Sequence, residues 1–120
     1  MAIKVSRSEV MPEDSEVATT WRLVRRDGTT GIGVGIAAFK ERRRDFEPVA
    51  HWEAHDVPEI HYVLSGEGVL LEEDEQIMLR AGDAAITPAG RRHSLWSTQA
   101  EPLVTIYVAV SPDANPGQSR

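Results

Sequence analysis

HWEAHDVPEIHYVLSG, residues 51–66, holds three of the chain's four histidines, His51, His55 and His61, with Glu53 and Glu59 between them. A helix would set His51 and His55 one turn apart, as in the zinc-protease motif HExxH. The glutamate of HWEAH is the third residue rather than the second, however, and Pro58 follows closely. Val49, His51 and Trp52 are also weak helix formers. On a strand, residues two apart share a face. His51, Glu53 and His55 then point one way, and Trp52 and Ala54 the other. Asp56-Val57-Pro58 reads as a turn or corner, and a second strand starts at Glu59. On that strand Glu59, His61 and Val63 share one face, and Ile60, Tyr62 and Leu64 the opposite one. If Glu53, His55 and Glu59 face one interior, imidazoles and carboxylates converge. Buried charges of one sign need protons or a cation, and a divalent metal would supply the compensation.

The same strand grammar extends along the chain. Asp27-Gly28, Ser65-Gly66, Ala81-Gly82-Asp83 and Pro88-Ala89-Gly90 mark turns. Between them lie short apolar runs at 21–24, 31–39, 60–64, 68–71, 76–79, 83–87, 92–96 and 103–110, with EEDE at 72–75 as a hairpin loop. No stretch keeps a 3.6-residue apolar period over three turns. The expected fold is all-β, a sandwich or barrel. In GIGVGIAAF, residues 31–39, alternating glycines weaken a strand and mark a bend or a close backbone approach. The start of this run resembles a dinucleotide loop, but its sixth position is Ile36 and no helix follows, so that reading is dismissed.

Composition narrows the chemistry. The 120 residues suffice for one compact domain, and 41% of them are hydrophobic. With no cysteine there is no disulfide, thiolate ligand or cysteine nucleophile, so a transition metal would need nitrogen and oxygen donors. The net charge of −6 argues against a nucleic-acid partner, and the basic run Lys40 to Arg44 is short enough to be a solvated loop or strand end. No apolar run is long enough to cross a bilayer. MAIKVSRSEV lacks the apolar stretch of a secretory signal, and the expected compartment is the cytoplasm. Residues 1–18 are read as a polar N-terminal arm available for dimer contact, 19–111 as the ordered body, and 112–120 as a loose tail.

Two spacings carry a family resemblance. Glu53-Ala54-His55, three residues, Glu59, six residues and Gly66 resemble the first motif of the cupin superfamily. Gly82, five residues, Pro88 and then His93 after four more resemble its second motif. Fifteen residues separate Gly66 from Gly82, a short spacing similar to that of small bacterial cupins. The resemblance implies a jelly-roll β-barrel of two packed antiparallel sheets. It also implies one divalent metal ion (Fe, Mn, Ni or Zn) held by His55, Glu59 and His93 together with position 53. Two positions depart from the family pattern. Glu53 stands where its first histidine would be, and Glu47 where a glycine would be. Glu53 is then a fourth, oxygen ligand, a general base beside a three-ligand metal, or the mark of a site that has lost its metal.

The remaining polar residues have plainer readings. His61 is expected in the pocket as an acid–base or hydrogen-bonding group, against the alternative of a neutral histidine satisfied by a neighbour. His51 is expected at the mouth. Tyr107 shares a face with Thr105 and Ala109 and could reach the pocket. Trp52, Tyr62 and Trp96 read as packing residues. Arg91 and Arg92 read as solvated loop, with an anion contact at the mouth as the alternative. Ser65 and Ser94 lack the context of a catalytic triad.

The expected function is metal-dependent catalysis on a small oxygenated molecule by Lewis-acid and proton-transfer chemistry, as a lyase, isomerase or cyclase, or dioxygenase. The alternative is a non-catalytic cupin that binds a small molecule, with or without metal. The resemblance also implies a homodimer formed by exchanging or pairing edge strands, which protects those edges.

Overall fold

Each apolar run set off by turn residues forms a strand, because side chains on alternating sides let one face be buried while the other is not. The computed structural model describes residues 2–26, 31–42 and 55–111. Among these described residues, a short 3-10 turn at Arg7–Glu9 is followed by nine strands: β1 (Glu13–Asp14), β2 (Ala18–Val24), β3 (Ile32–Phe39), β4 (Glu59–Ser65), β5 (Glu67–Glu72), β6 (Glu75–Arg80), β7 (Ala84–Thr87), β8 (His93–Ser97) and β9 (Leu103–Val110). They make a six-stranded sheet ordered β1-β2-β3-β9-β4-β7 and a three-stranded sheet ordered β6-β5-β8. Every pair of named strands is antiparallel. This is the two-sheet jelly-roll arrangement expected from the sequence. Among the described residues the sheets meet at a seam rather than closing into one continuous ladder. There Ser97 N–H donates to the Lys40 carbonyl at 2.9 Å, and Arg42 N–H to the Ser97 carbonyl at 3.2 Å.

The core lies between the sheets. Ala37 and Phe39 of β3, Val63 of β4 and Leu103 and Tyr107 of β9 meet Leu70, Leu79 and Leu95 of the small sheet. Alternation is sharpest in β4 and β9. Glu59, His61 and Val63 are buried while Ile60, Tyr62 and Leu64 are exposed, and Leu103, Thr105, Tyr107 and Ala109 are buried. In β8 all five residues are buried, and the Arg42 guanidinium covers the Trp96 ring 5.0 Å from its centroid.

Three details differ from the sequence reading. The hairpin turn at 72–75 is tighter than EEDE suggests, since Glu72 and Glu75 already pair and only Glu73 and Asp74 turn. The described part of the arm is docked: Asp14 pairs with Thr19, and the Arg7 guanidinium sits over Trp21. Strand β1 has no apolar signature because both of its residues are exposed; its backbone pairing and the polar bonds of Glu13 to Arg22 and of Asp14 to Thr19 define it. Finally, β2 starts at Ala18, one residue before the expected start of the ordered body.

Candidate metal centre

Glu59 and His61 enter the interior together because they share the inward face of β4, the fifth strand of the large sheet. His93 opens β8 in the facing sheet, where Glu72 of β5 is its register partner. His55 precedes β4. Gly90 N–H donates to the His55 carbonyl at 2.8 Å, which ties the turn before β8 to the turn before β4. Two loops far apart in sequence are thereby held against each other. The result brings ligand atoms of His55, Glu59 and His93 within 4.8 Å of one another. The imidazoles of His55 and His93 lie 5.3 Å apart, centroid to centroid, and His55 Nε2 is 3.8 Å from Glu59 Oε1.

Burial within this trio is graded. The His93 side chain is interior, Glu59 is nearly so, and His55 is partly open. Two imidazole nitrogens and one carboxylate oxygen form a donor set suited to Zn(II), Fe(II), Mn(II) or Ni(II), and their spacing allows them to meet at one ion. The residues therefore fit the metal that the two motifs imply.

His61 supports this group from behind. Its Nε2 lies 2.8 Å from Glu59 Oε1, and its Nδ1 lies 3.0 Å from Thr105 Oγ1. One arrangement satisfies all three groups: the Thr105 hydroxyl donates to Nδ1, and Nε2–H donates to the carboxylate. Both His61 nitrogens are thus engaged, and the ring is almost wholly enclosed. Burial by itself would raise the Glu59 pKa. The hydrogen bond from His61 and the positive charge available on His61, His55 and His93 outweigh it and hold the carboxyl below its ordinary range.

The open side is a cavity of about 360 Å³, lined among others by Glu13, Arg22, His55, Glu59, His61 and Tyr107. A second cavity, about 400 Å³, shares Arg22, His55, Glu59 and Tyr107 with it and adds Arg25 and Arg26. Tyr107 does reach the site. Burial raises its pKa; the Arg22 guanidinium pulls the other way and the Glu59 charge adds to the rise, leaving the phenol protonated above its ordinary range. The glycine pattern of β3 explains how it gets there. Gly35 is the register partner of Tyr107, and a Cβ on Gly35 would collide with the Tyr107 ring and hydroxyl and with the Trp21 carbonyl. The close approach expected from GIGVG is this one.

Of the residues singled out in the sequence, His55, Glu59, His61 and His93 come together. Glu53 and His51 lie outside the described residues. Arg91 and Arg92 pair with Glu72 at 3.4 Å and Glu73 at 3.1 Å, and neither is among the described lining residues of the two cavities. The solvated-loop reading holds for both. The sequence reading missed Arg22 and Glu13. It set Thr105 on the face of Tyr107 but gave it no role. Arg22 could not have been found, because β2 shows no clean alternation of burial.

Comparison with known proteins adds to this geometry. No curated protein sequence matches the chain. A predicted oxalate decarboxylase from Thermotoga maritima is similar in structure, with a TM-score of 0.72 and 22% identity over 91% of this chain and 99% of the other. The polyketide cyclase RemF from Streptomyces resistomycificus gives a TM-score of 0.71 and 19% identity over 92% and 80%. KdgF from a Halomonas species gives 0.69 and 18% over 94% and 97%. These likenesses concern the fold. The family model for the cupin domain matches residues 43–109, which include Glu53, His55, Glu59 and His93, and the chain belongs to the cupin family.

Proposed function

We propose that the protein is a metal-dependent enzyme acting on a small oxygenated molecule, in the lyase, isomerase or cyclase class, with dioxygenase chemistry as the remaining variant. The observation that carries this reading is the convergence of His55, Glu59 and His93 beside an open cavity. One divalent ion per chain, held by these three side chains and by Glu53 if it completes the set, would act as a Lewis acid toward a carbonyl or hydroxyl oxygen.

The chain's own residues then have distinct roles. His61 holds Glu59 in the orientation a ligand needs, backed by Thr105. Tyr107, kept protonated, donates a hydrogen bond to a substrate oxygen in the cavity. Glu53 moves the proton if it is not itself a ligand; His61, with both nitrogens occupied, is better suited to positioning than to free acid–base work. Two of the similar structures are named for enzymes of oxalate and of a polyketide, oxygen-rich molecules, which accords with this reading. We also propose a homodimer, with the outer face of the large sheet as its interface.

The test is turnover of a panel of hydroxy acids, oxo acids and sugar acids by protein as purified, after chelation, and after adding back each metal. Turnover lost on chelation and restored by one metal supports the enzyme. Ligand binding without turnover under every metal would overturn it in favour of a binding module.

A further inference from the structure

A row of residues runs across four strands of the large sheet at the level of the site. Arg22 of β2 is the register partner of Gly35, Gly35 of Tyr107, and Tyr107 of His61. Because Gly35 has no side chain, the Tyr107 ring spans β3 toward Arg22. Arg22 therefore lines both cavities together with Tyr107, Glu59 and His55.

Arg22 holds a carboxylate already. Its Nε lies 3.0 Å from Glu13 Oε2, and Arg25 Nη2 approaches the same oxygen at 3.5 Å. Arg26, lining the same second cavity, pairs with Asp56 at 2.8 Å. Three arginines thus border one approach to the metal-ligand trio in a chain whose net charge is −6. Glu13 comes from the two-residue strand β1, and both it and Arg22 are about half exposed. Ion pairs so exposed contribute little to stability, so a second carboxylate can replace Glu13 at small cost. The guanidinium fork matches a carboxylate in shape as well as in charge.

Resting on the metal-centre reading above, we infer that the substrate is a small carboxylic acid whose carboxylate is gripped by Arg22, displacing Glu13, while its oxygen-bearing end meets the His55–Glu59–His93 group. Glu13 is then a built-in counterion to Arg22 that competes with substrate. Arg22 is a specificity-determining residue, and Tyr107 lies between the two ends.

Titration calorimetry tests this with succinate as probe and succinamide and inorganic phosphate as controls, on protein as purified and after chelation. Succinate is expected to bind at millimolar concentration and succinamide not. Arg22→Gln should weaken succinate binding about tenfold or more, and Arg22→Lys should recover part of the loss. Glu13→Gln should tighten it several-fold, an increase that a misfolded variant would not give. Metal content should be unchanged in all three variants. Succinate binding that is absent in the wild type, equal in Arg22→Gln, not tightened in Glu13→Gln, or weaker than phosphate binding would overturn the inference. If metal binds normally but Arg22→Gln has no effect, the carboxylate site fails and the metal centre stands. If no metal is taken up but Arg22 and Glu13 behave as stated, the metal centre fails and the carboxylate site stands.

Discussion

Glu59 is the residue on which the site turns, and its environment is made by His61. An enclosed carboxylate in hydrogen-bond contact with the His61 imidazole, itself backed by a threonine hydroxyl, is fixed in direction before any ion arrives. His61→Phe removes that support at little cost in volume. It should lower metal affinity by about ten- to a hundredfold with the fold kept, read by competition with a chromogenic chelator; unchanged affinity would leave His61 a packing residue. The lowered pKa of Glu59 has a sign in metal-free protein. Its stabilising contribution is present above the ordinary carboxylate range and is lost as pH falls through the lowered value. The gap in melting temperature between wild type and Glu59→Gln should therefore narrow on acidification. At this scale the sequence was informative for residues in fixed spacings. His55, Glu59 and His93 follow from the two motifs, and the inward face of His61 from its distance of two from Glu59. Arg22 and Glu13 follow from neither, since their roles depend on which strands become neighbours.

Among the elements, the two loops that carry ligands are tied by the hydrogen bond from Gly90 to His55, while β3 and β9 set the floor of the cavity. Gly35→Ala inserts a methyl group where the Tyr107 ring and the Trp21 carbonyl already stand. It should cost about 1–3 kcal/mol by overpacking and move Tyr107 out of the cavity. Denaturant titration checks the first effect, and loss of substrate binding with metal content intact checks the second. The eight longer strands were legible as short apolar runs between turn residues, with ends moved by a residue or a few. Strand β1 was not, because a two-residue exposed strand carries no apolar pattern and is specified by its pairing with Thr19 and Thr20 of β2 and by polar side-chain bonds to Thr19, Arg22 and Lys40. Gly66 shows the opposite case. It was visible as a turn and as a motif residue, and its φ of 88° with a Cβ position blocked by the Pro102 carbonyl gives the physical reason for glycine there.

At the scale of the whole molecule, the two sheets bury one core and leave a second apolar surface outside. Ile32, Ile60, Tyr62, Leu64, Ile86 and Val110 are exposed on the outer face of the large sheet, with Val34, Ile36, Val104, Ile106 and Val108 half-buried between them. Across β3, β9, β4 and β7 this face carries no charged side chain, so it offers no complement to a charged partner and can pack on a copy of itself. Strands about 4.8 Å apart with about 3.3 Å per residue make this four-strand face roughly 430 Å², about half of the ~800 Å² per partner that standard interfaces bury. Light scattering after gel filtration should give the mass of two chains, and Ile60→Lys with Ile86→Lys should give that of one; a monomeric wild type would remove the homodimer. The fold-level reading came from spacing and alternation, whereas the outer face could be recognised as continuous only once the strand order β3-β9-β4-β7 was known. The central claim is that His55, Glu59 and His93 hold one metal ion. Elemental analysis of untagged protein never exposed to chelator, wild type beside His55→Ala and His93→Ala, tests it most directly. About one equivalent of Fe, Mn, Ni or Zn in the wild type and a large loss in both variants is the predicted result. Equal metal content in all three, or none in the wild type even after reconstitution, would contradict it.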